Sequence, residues 1–357
     1  DYKVTGVQTC ALPIWRLRAG ASAAGHGEEA SRFDREAIRL SVEGRIATSY
    51  FRVCSLAGRR AALARSIRLA AEVESIMRQR VAAGTATEID LAQQEAVVLQ
   101  LKASMPGLER TAEQEEIALA LLAGVAPGEM RLSPPVLARL AVPRQTLGLP
   151  TDLLRRRPDV RRSEEALLAA ADDVTAARAA MLPSLTLSLR AGFESPVLST
   201  LVSPASALHQ VTAGVTQPLF DEPRLLAALR LNEARRDELV AAYRAAVLGG
   251  LGDVESALVA VRTAHAELTI RQAVVQRTER AYRLANEQLA AGQIDVLTSI
   301  TTQRGYFDAL DAVEQARFLE FQSVVTLHLA LGGGWLGEAA ATSPRSATPP
   351  AGASTRS

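Results

Sequence analysis

The sequence predicts a mainly helical protein with a small β part and two internal repeats. Three observations support this fold class: a segment that recurs 208 residues further along the chain, apolar residues spaced by seven over long stretches, and one short region in which apolar and polar side chains alternate. The 357 residues carry 40 basic and 39 acidic side chains. This balance argues against a nucleic-acid partner, because duplex binding requires a concentrated basic surface.

The recurring segment defines the two repeats. Residues 81–90 read VAAGTATEID and residues 289–298 read LAAGQIDVLT, so the shared Ala-Ala-Gly aligns without a gap. The same offset places Arg16 on Arg224. A single register maintained over this distance indicates two structurally equivalent halves.

Each repeat contains one very long predicted helix. The two helices span 16–83 and 223–291, and at 1.5 Å per residue each would be roughly 100 Å long. Apolar residues at a seven-residue spacing form a seam along such a helix, as in a coiled coil. In the second repeat the seam consists of Val240, Val247, Val254, Val261, Leu268, Val275, Tyr282 and Leu289.

A glycine ends each long helix, because a left-handed residue stops one helix before the next begins. These glycines are Gly84 and Gly292, and return helices are predicted at 87–123 and 294–332. A long hairpin with a narrow apolar stripe needs other helices to cover it, so the architecture requires partners. A coiled-coil structural scaffold without a pore is an alternative interpretation.

Two short strands favour a membrane protein over that scaffold. Strict alternation over about ten residues is typical of a transmembrane barrel strand, with lipid outside and water inside, although a soluble hairpin would alternate equally well. The side chains predicted to face lipid are Leu185, Leu187, Leu189, Phe193, Val211 and Val215. Those predicted to face the lumen are Thr186, Ser188, Arg190, Glu194, Thr212 and Thr216.

Two strands cannot close a barrel, and open edges are not tolerated in hydrocarbon, so several copies are expected to share one barrel. Applying the repeat offset to the hairpin places its first-repeat equivalent before this chain, which is therefore expected to be truncated at its amino terminus. Residues 1–14 are predicted to be non-native or disordered, residues 15–125 to form the first-repeat helices, and residues 126–151 to form an extended connector. The second repeat is predicted at 152–335, with helix 152–181, hairpin 183–219, long helix 223–291 and return helix 294–332. Residues 336–357 are predicted to be a disordered tail.

Several motifs resemble one known family. They are Gly148 to Arg161 (GLPTDLLRRRPDVR), Glu164, 177–184 (ARAAMLPS) and 217–221 (QPLFD). This chain resembles the TolC-like outer membrane efflux proteins, in particular the NodT-type outer-membrane factors of tripartite multidrug efflux systems.

The resemblance implies a homotrimer with one twelve-stranded transmembrane β-barrel in outer-membrane lipid and a long periplasmic α-barrel tunnel. It further implies a passive exit channel that contacts a periplasmic adaptor (membrane fusion) protein and an inner-membrane pump of the RND type. In this family the amino terminus is lipidated in some members.

The resemblance also indicates the functional positions. The adaptor-contacting tips would be Gly84 and Thr85 in the first repeat, and Gly292, Gln293 and Ile294 in the second. Relatives often carry acidic residues six and nine positions after the second glycine, at the pore constriction. The candidate residues for the constriction here are Thr298, Thr301, Asp295 and Asp90, of which the two threonines depart from the acidic pattern.

The sequence does not predict an enzyme. The four histidines, His26, His209, His265 and His328, are scattered, and the two cysteines, Cys10 and Cys54, lack metal-ligand spacing. Adjacent carboxylates such as Asp172 and Asp173 point apart on a helix, which suits solvated faces rather than paired acid–base chemistry. No catalytic residue, cofactor or metal is therefore predicted.

Overall fold

The structure is a computed structural model of the 357-residue chain. It describes residues 10–12, 14–130, 132, 134–142, 156–193 and 203–333. The predicted lumen residue Glu194, the predicted tail and most of the second half of the predicted connector lie outside these residues.

Helices dominate the described chain, which confirms the mainly α fold class with a small β part. In chain order the elements are β1 (Cys10–Leu12), α1 (Ile14–Ala82), α2 (Glu88–Leu122), a 3-10 turn (Leu137–Arg139), α3 (Pro158–Ala179), β2 (Ser184–Phe193), a second 3-10 turn (Pro204–Ser206), β3 (Ala207–Thr216), α4 (Glu222–Ala290) and α5 (Val296–Ala330). No described helix combines the length and the apolarity needed to cross a membrane.

The helix boundaries reproduce the internal repeat residue by residue. Helices α1 and α4 each contain 69 residues, and Ile14 and Glu222, their first residues, are 208 positions apart. Helices α2 and α5 each contain 35 residues, and Glu88 and Val296 are separated by the same 208 positions. The two halves therefore have the same helical plan.

The seven-residue seam of α4 is packed as predicted. Val254, Leu268, Tyr282 and Leu289 are buried, with Leu289 only 1% exposed, and the remaining seam residues are at least partly buried. An exposed seam would have contradicted the coiled-coil interpretation, so the burial confirms it.

The chain divides into two compact units. The first consists of Asp1–Ala37 with Arg157–Gly250, and the second of Ile38–Arg156 with Leu251–Ser357. The long helices α1 and α4 contribute to both units.

In the first unit, α3 packs beside the start of α1. Proline at the first helical position of α3 is favoured because its missing N–H would have no partner there. The His26 ring Nδ1 lies 2.6 Å from the Glu165 carboxylate, and Arg162 donates to Asp34 at 3.1 Å. Val160 and Ala170 are among the buried residues of α3.

In the second unit, four helices build the main core. Its largest cluster joins α1, α2, α4 and α5 and includes Met77, Tyr282 and Tyr306. The rings of Tyr282 and Tyr306 stack with their centroids 5.4 Å apart. A smaller cluster holds Leu137 of the first 3-10 turn, 1% exposed, against Phe321. That contact attaches the described part of the connector to the helices.

The sheet has three antiparallel strands in the order β1-β2-β3. Strand β1 lies within residues 1–14, which were expected to be non-native or disordered, and it precedes α1 as β3 precedes α4. At the repeat offset of 208 residues, β1 corresponds to residues 218–220, which follow β3. Three residues are too few to show an alternating pattern, and their pairing partner, around Leu185, is far away in sequence.

Candidate functional site

The strand register segregates apolar from polar positions. Residues directly opposite each other in an antiparallel pair lie on the same face of a sheet. Leu185 lies opposite Val215, and Leu189 lies opposite Val211. On the other face the pairs are Thr186 with Gly214, Ser188 with Thr212, Arg190 with Gln210, and Ser184 with Thr216.

Large apolar side chains of this sheet are exposed in the protomer. The exposed fractions are 44% for Leu187, 55% for Leu189, 52% for Phe193, 70% for Val211 and 71% for Val215. A contiguous apolar face of this kind costs free energy in water, at about 25 cal/mol per Å², and marks a surface that lipid or protein covers. All five belong to the set that the sequence predicted to face lipid.

Both tip glycines terminate their helices in the same way. Gly84 has φ +70° and Gly292 has φ +71°, which glycine adopts without a Cβ penalty. The Thr85 N–H donates to the Arg80 carbonyl at 2.8 Å, and the Gln293 N–H donates to the Gln288 carbonyl at 2.8 Å. These bonds are the six-to-one bonds of a Schellman motif, so each turn is a defined and largely exposed cap.

Arg80 connects the two tips. Its guanidinium donates to the Leu289 carbonyl at 2.5 Å and to the Thr85 carbonyl at 3.2 Å. The first contact adds a second donor to a carbonyl in the last turn of α4 that already accepts from the Gly292 N–H at 3.0 Å, and a cation is favoured there by the helix dipole. Gln288 occupies the equivalent position in the second repeat, so this contact is not duplicated by the repeat.

The two aspartates proposed for the constriction both cap helices. Asp90 accepts from the Thr87 N–H at 3.0 Å, and the Thr87 hydroxyl accepts from the Asp90 N–H at 3.2 Å, which is a complete capping box. Asp295 is the N-cap of α5 and accepts from the Thr298 N–H at 2.9 Å. Hydrogen bonding to Thr298 holds the pKa of the Asp295 carboxyl below its ordinary value.

The two threonines of this set lie exposed on α5. The Thr301 hydroxyl donates to the Leu297 carbonyl at 2.9 Å within the helix, whereas Thr298 contributes its N–H to the Asp295 cap. The structure therefore brings Asp295 and Thr298 into direct contact. It assigns Asp90 to the equivalent turn of the other repeat.

Sequence reasoning missed two features of the tips. Ile89 and Leu297, which are related by the repeat offset, occupy the second position of α2 and α5 and are 69% and 64% exposed. The repeat alignment already paired these residues, and that pairing was the available signal. Arg80 had no such signal, because its acceptor at Leu289 is a backbone atom 209 residues away.

The described residues do not assemble a metal centre. Among them, no group of three or more His, Cys, Asp or Glu side chains has a suitable arrangement for an ion. The arrangement offers three kinds of surface: an apolar sheet face, a polar sheet face and two exposed helix turns.

Comparison with known proteins identifies the family. The sequence model of the outer membrane efflux protein family matches residues 9–125 and 149–333. The pyoverdine export outer membrane protein OpmQ of Pseudomonas putida is 33% identical over 319 residues, which cover 89% of this chain and 67% of that protein. The toluene efflux pump outer membrane protein TtgI of Pseudomonas putida is 31% identical over 341 residues, covering 94% and 72%.

Solved structures support the same conclusion. The outer-membrane channel OprN superposes with a TM-score of 0.87 at 27% identity, covering 92% of this chain and 74% of that chain. The open state of the Neisseria gonorrhoeae outer membrane channel MtrE gives a TM-score of 0.84 at 26% identity, covering 91% and 74%.

The length of the match varies among relatives. OpmQ of Pseudomonas aeruginosa is covered over 64% of its length, and the probable efflux pump outer membrane protein TtgC of Pseudomonas putida over 54%. The resemblance inferred from the sequence motifs is confirmed. The chain belongs to the outer membrane efflux protein family.

Proposed function

We propose that this protein forms the outer-membrane exit channel of a tripartite efflux system. It is a passive conduit, and the energy for transport is supplied by an inner-membrane pump to which a periplasmic adaptor links it. Three copies share one β-barrel and continue it as a helical tunnel through the periplasm. Relatives are named for export of pyoverdine and for efflux of toluene and antibiotics, so small organic molecules are the proposed cargo.

The observation that carries this proposal is the sorted strand register. One face of the sheet collects Leu185, Leu189, Val211 and Val215, with His209 at one end, and the other collects hydroxyl, amide and guanidinium groups, with Leu208 at the same end. A three-stranded sheet has two open edges, and hydrocarbon does not tolerate unpaired backbone groups. Closure by further strands from other copies satisfies the edges and gives the apolar face to lipid and the polar face to water.

Spin labels test the two faces directly. In a chain with Cys10→Ser and Cys54→Ala, single cysteines at Leu187 and at Ser188 carry the label, and the protein is reconstituted in bilayers. The label at 187 should collide more often with oxygen, which concentrates in lipid. The label at 188 should collide more often with a water-soluble nickel chelate. Identical environments at the two adjacent positions would refute the proposal.

Conductance distinguishes a channel from a scaffold. The detergent-extracted protein should give discrete conductance steps in a planar lipid bilayer, and it should remain insoluble without detergent. A coiled-coil scaffold would be soluble without detergent and would give no conductance steps. Soluble protein without conductance therefore contradicts the proposed function.

The tips are the proposed adaptor contact. The exposure of Gly84, Thr85, Gly292 and Gln293 supports this assignment, and partly buried Ile294 completes the second turn. A cross-link from a photoreactive residue at Gln293 to the adaptor tests it, with exposed Arg277 on α4 as the matched control. A stronger cross-link from Arg277 would contradict the assignment.

The constriction is proposed at Thr298, Thr301, Asp295 and Asp90. Asparagine retains an acceptor for the cap and removes the charge, so Asp295→Asn separates capping from electrostatics. This substitution should lower the preference of the pore for cations without changing thermal stability, and Thr298→Asp should raise that preference. An unchanged cation preference in both variants would remove these residues from the pore.

A further inference from the structure

An apolar cavity lies between α1 and α5 in the second unit, and its volume is about 280 Å³. Its walls include aliphatic and aromatic side chains of both helices, namely Leu40, Ala47 and Phe51 of α1 and Phe321, Val324 and Val325 of α5. Two polar side chains, Glu43 and His328, also line it. The cavity therefore suits an apolar group that carries a hydrogen-bonding atom.

The chain leaves α5 beside this cavity and changes direction there. Gly332 and Gly333 have φ +83° and +66°. The Gly333 N–H donates to the His328 carbonyl at 3.0 Å. The Gly332 N–H donates to the Leu329 carbonyl at 3.0 Å, which completes the two bonds of a Schellman motif. A Cβ added at Gly333 would lie 2.6 Å from Leu40 Cδ1, so this backbone is in close contact with a wall of the cavity.

Two large apolar residues follow at once in the sequence. Gly333 is followed by Gly334, Trp335 and Leu336, whereas residues 337–357 contain no Val, Ile, Leu, Met, Phe, Tyr or Trp. Residues from 334 onward lie outside the described part of the chain. Covalent geometry limits the distance between the Cα atoms of Gly333 and Trp335 to about 7 Å. The indole of Trp335 is thus within reach of the cavity.

An indole ring matches the cavity in size and in chemistry. A dry apolar cavity of about 150 Å³ holds a benzene ring, so about 280 Å³ is enough for the larger indole. A buried indole N–H needs an acceptor. The Glu43 carboxylate accepts from Arg39 at 2.9 Å and has further lone pairs for a second donor.

We propose that the segment from Gly334 to Leu336 folds back from the end of α5 and places the indole of Trp335 in this cavity. The occupant is the protein's own chain, because that chain already contacts a cavity wall at Gly333. The contact fastens the end of α5 to α1 and removes apolar walls from water. It does not depend on the proposed channel function.

Protection of a cysteine in the cavity wall tests the proposal. The full-length chain with Cys10→Ser and Cys54→Ala also carries Ala47→Cys, and it is extracted in detergent and treated with N-ethylmaleimide. Adding Trp335→Ala should accelerate the labelling by about tenfold, since a covered thiol reacts only after local opening. Trp335→Phe retains a ring and should keep most of the protection. A cysteine at exposed Ala61 of the same helix is the control, and its labelling rate should not change.

Mixed oligomers determine which copy supplies the tryptophan. A chain with Ala47→Cys and Trp335→Ala is coexpressed with chains that lack cysteine and retain Trp335. Its thiol should be labelled as fast as in the variant expressed alone. Protection restored by the other chains would overturn the inference, because a second copy would then occupy the cavity. An equal labelling rate at position 47 with and without the Trp335 side chain would overturn it as well.

Discussion

Gly58 in α1 offers a sharp test of the packing in the second unit. A Cβ added there would lie 2.6 Å from Glu314 Oε2 and 3.2 Å from Val136 Cγ1. The Glu314 side chain is only 10% exposed and is bound to Arg317, so moving it to relieve the contact costs free energy. We therefore expect the substitution Gly58→Ala to displace the carboxylate.

The change in the free energy of unfolding caused by Gly58→Ala follows from two opposing effects. Alanine stabilises a helix interior by about 1 kcal/mol relative to glycine. Overpacking a filled site costs about 1–3 kcal/mol. Gly58→Ala should thus be destabilising by about 1 kcal/mol on balance. In a Glu314→Ala background the closest obstacle is absent and only the Val136 contact at 3.2 Å remains, so the same substitution should cost less or become stabilising by up to about 1 kcal/mol.

Urea unfolding followed by far-ultraviolet circular dichroism measures all four chains of this cycle. Gly305→Ala in α5 is the control, because nothing described lies within 4 Å of its added Cβ, and it should raise the midpoint. The reasoning would be refuted if Gly58→Ala had the same effect with and without Glu314, since the coupling is expected only through direct contact.

Three further predictions concern the same unit. Gln94 and Gln303 are fully buried and exchange amide hydrogen bonds at 3.2 and 3.3 Å, so Gln94→Leu should cost about 1–3 kcal/mol. The double variant with Gln303→Leu should recover most of the loss, and exposed Gln93→Leu should have little effect; equal losses in all three would contradict the buried pair. Burial raises the pKa of Glu314 in the folded protein. The stability that protonated Glu314 contributes is therefore fully present below the pKa of an unfolded glutamate and should be lost as pH rises through the higher folded pKa. In a series of urea midpoints measured against pH, Glu314→Gln should remove this pH dependence. Gly292→Ala should cost about 1–2 kcal/mol because of the left-handed backbone, with faster hydrogen exchange at the turn, and an unchanged midpoint would argue against strain there.

Local patterns were sufficient to predict much of this fold. Seven-residue spacing predicted the buried seam through Leu268 and Leu289, and strict alternation predicted strands around Leu187 and Val211. Both patterns arise because helices and strands have fixed side-chain periods. The positive-φ glycines Gly84 and Gly292 could be predicted for a similar reason, since helix termination is a local property.

Features that depend on distant contacts could not be predicted. Strand β1 exists because of its pairing with β2, and three residues carry no period of their own. The contact between His26 and Glu165 joins helices whose mutual orientation the sequence does not state. The repeat alignment pairs Ile89 with Leu297, but their exposure required the packing, because an apolar residue in the first turn of a helix is as compatible with a core as with a surface.

The two repeats share the backbone geometry of their tips but not the side chains that cap the turns. Backbone geometry is duplicated closely, down to φ values of +70° and +71° at Gly84 and Gly292. The side chains that secure the turns are not duplicated: the first return helix uses a capping box from Thr87, and the second uses Asp295 alone. Arg80 of the first repeat also bonds the last turn of the second repeat's long helix. The tip surface is therefore formed by both repeats, and the side-chain contact that joins the two turns comes from the first repeat.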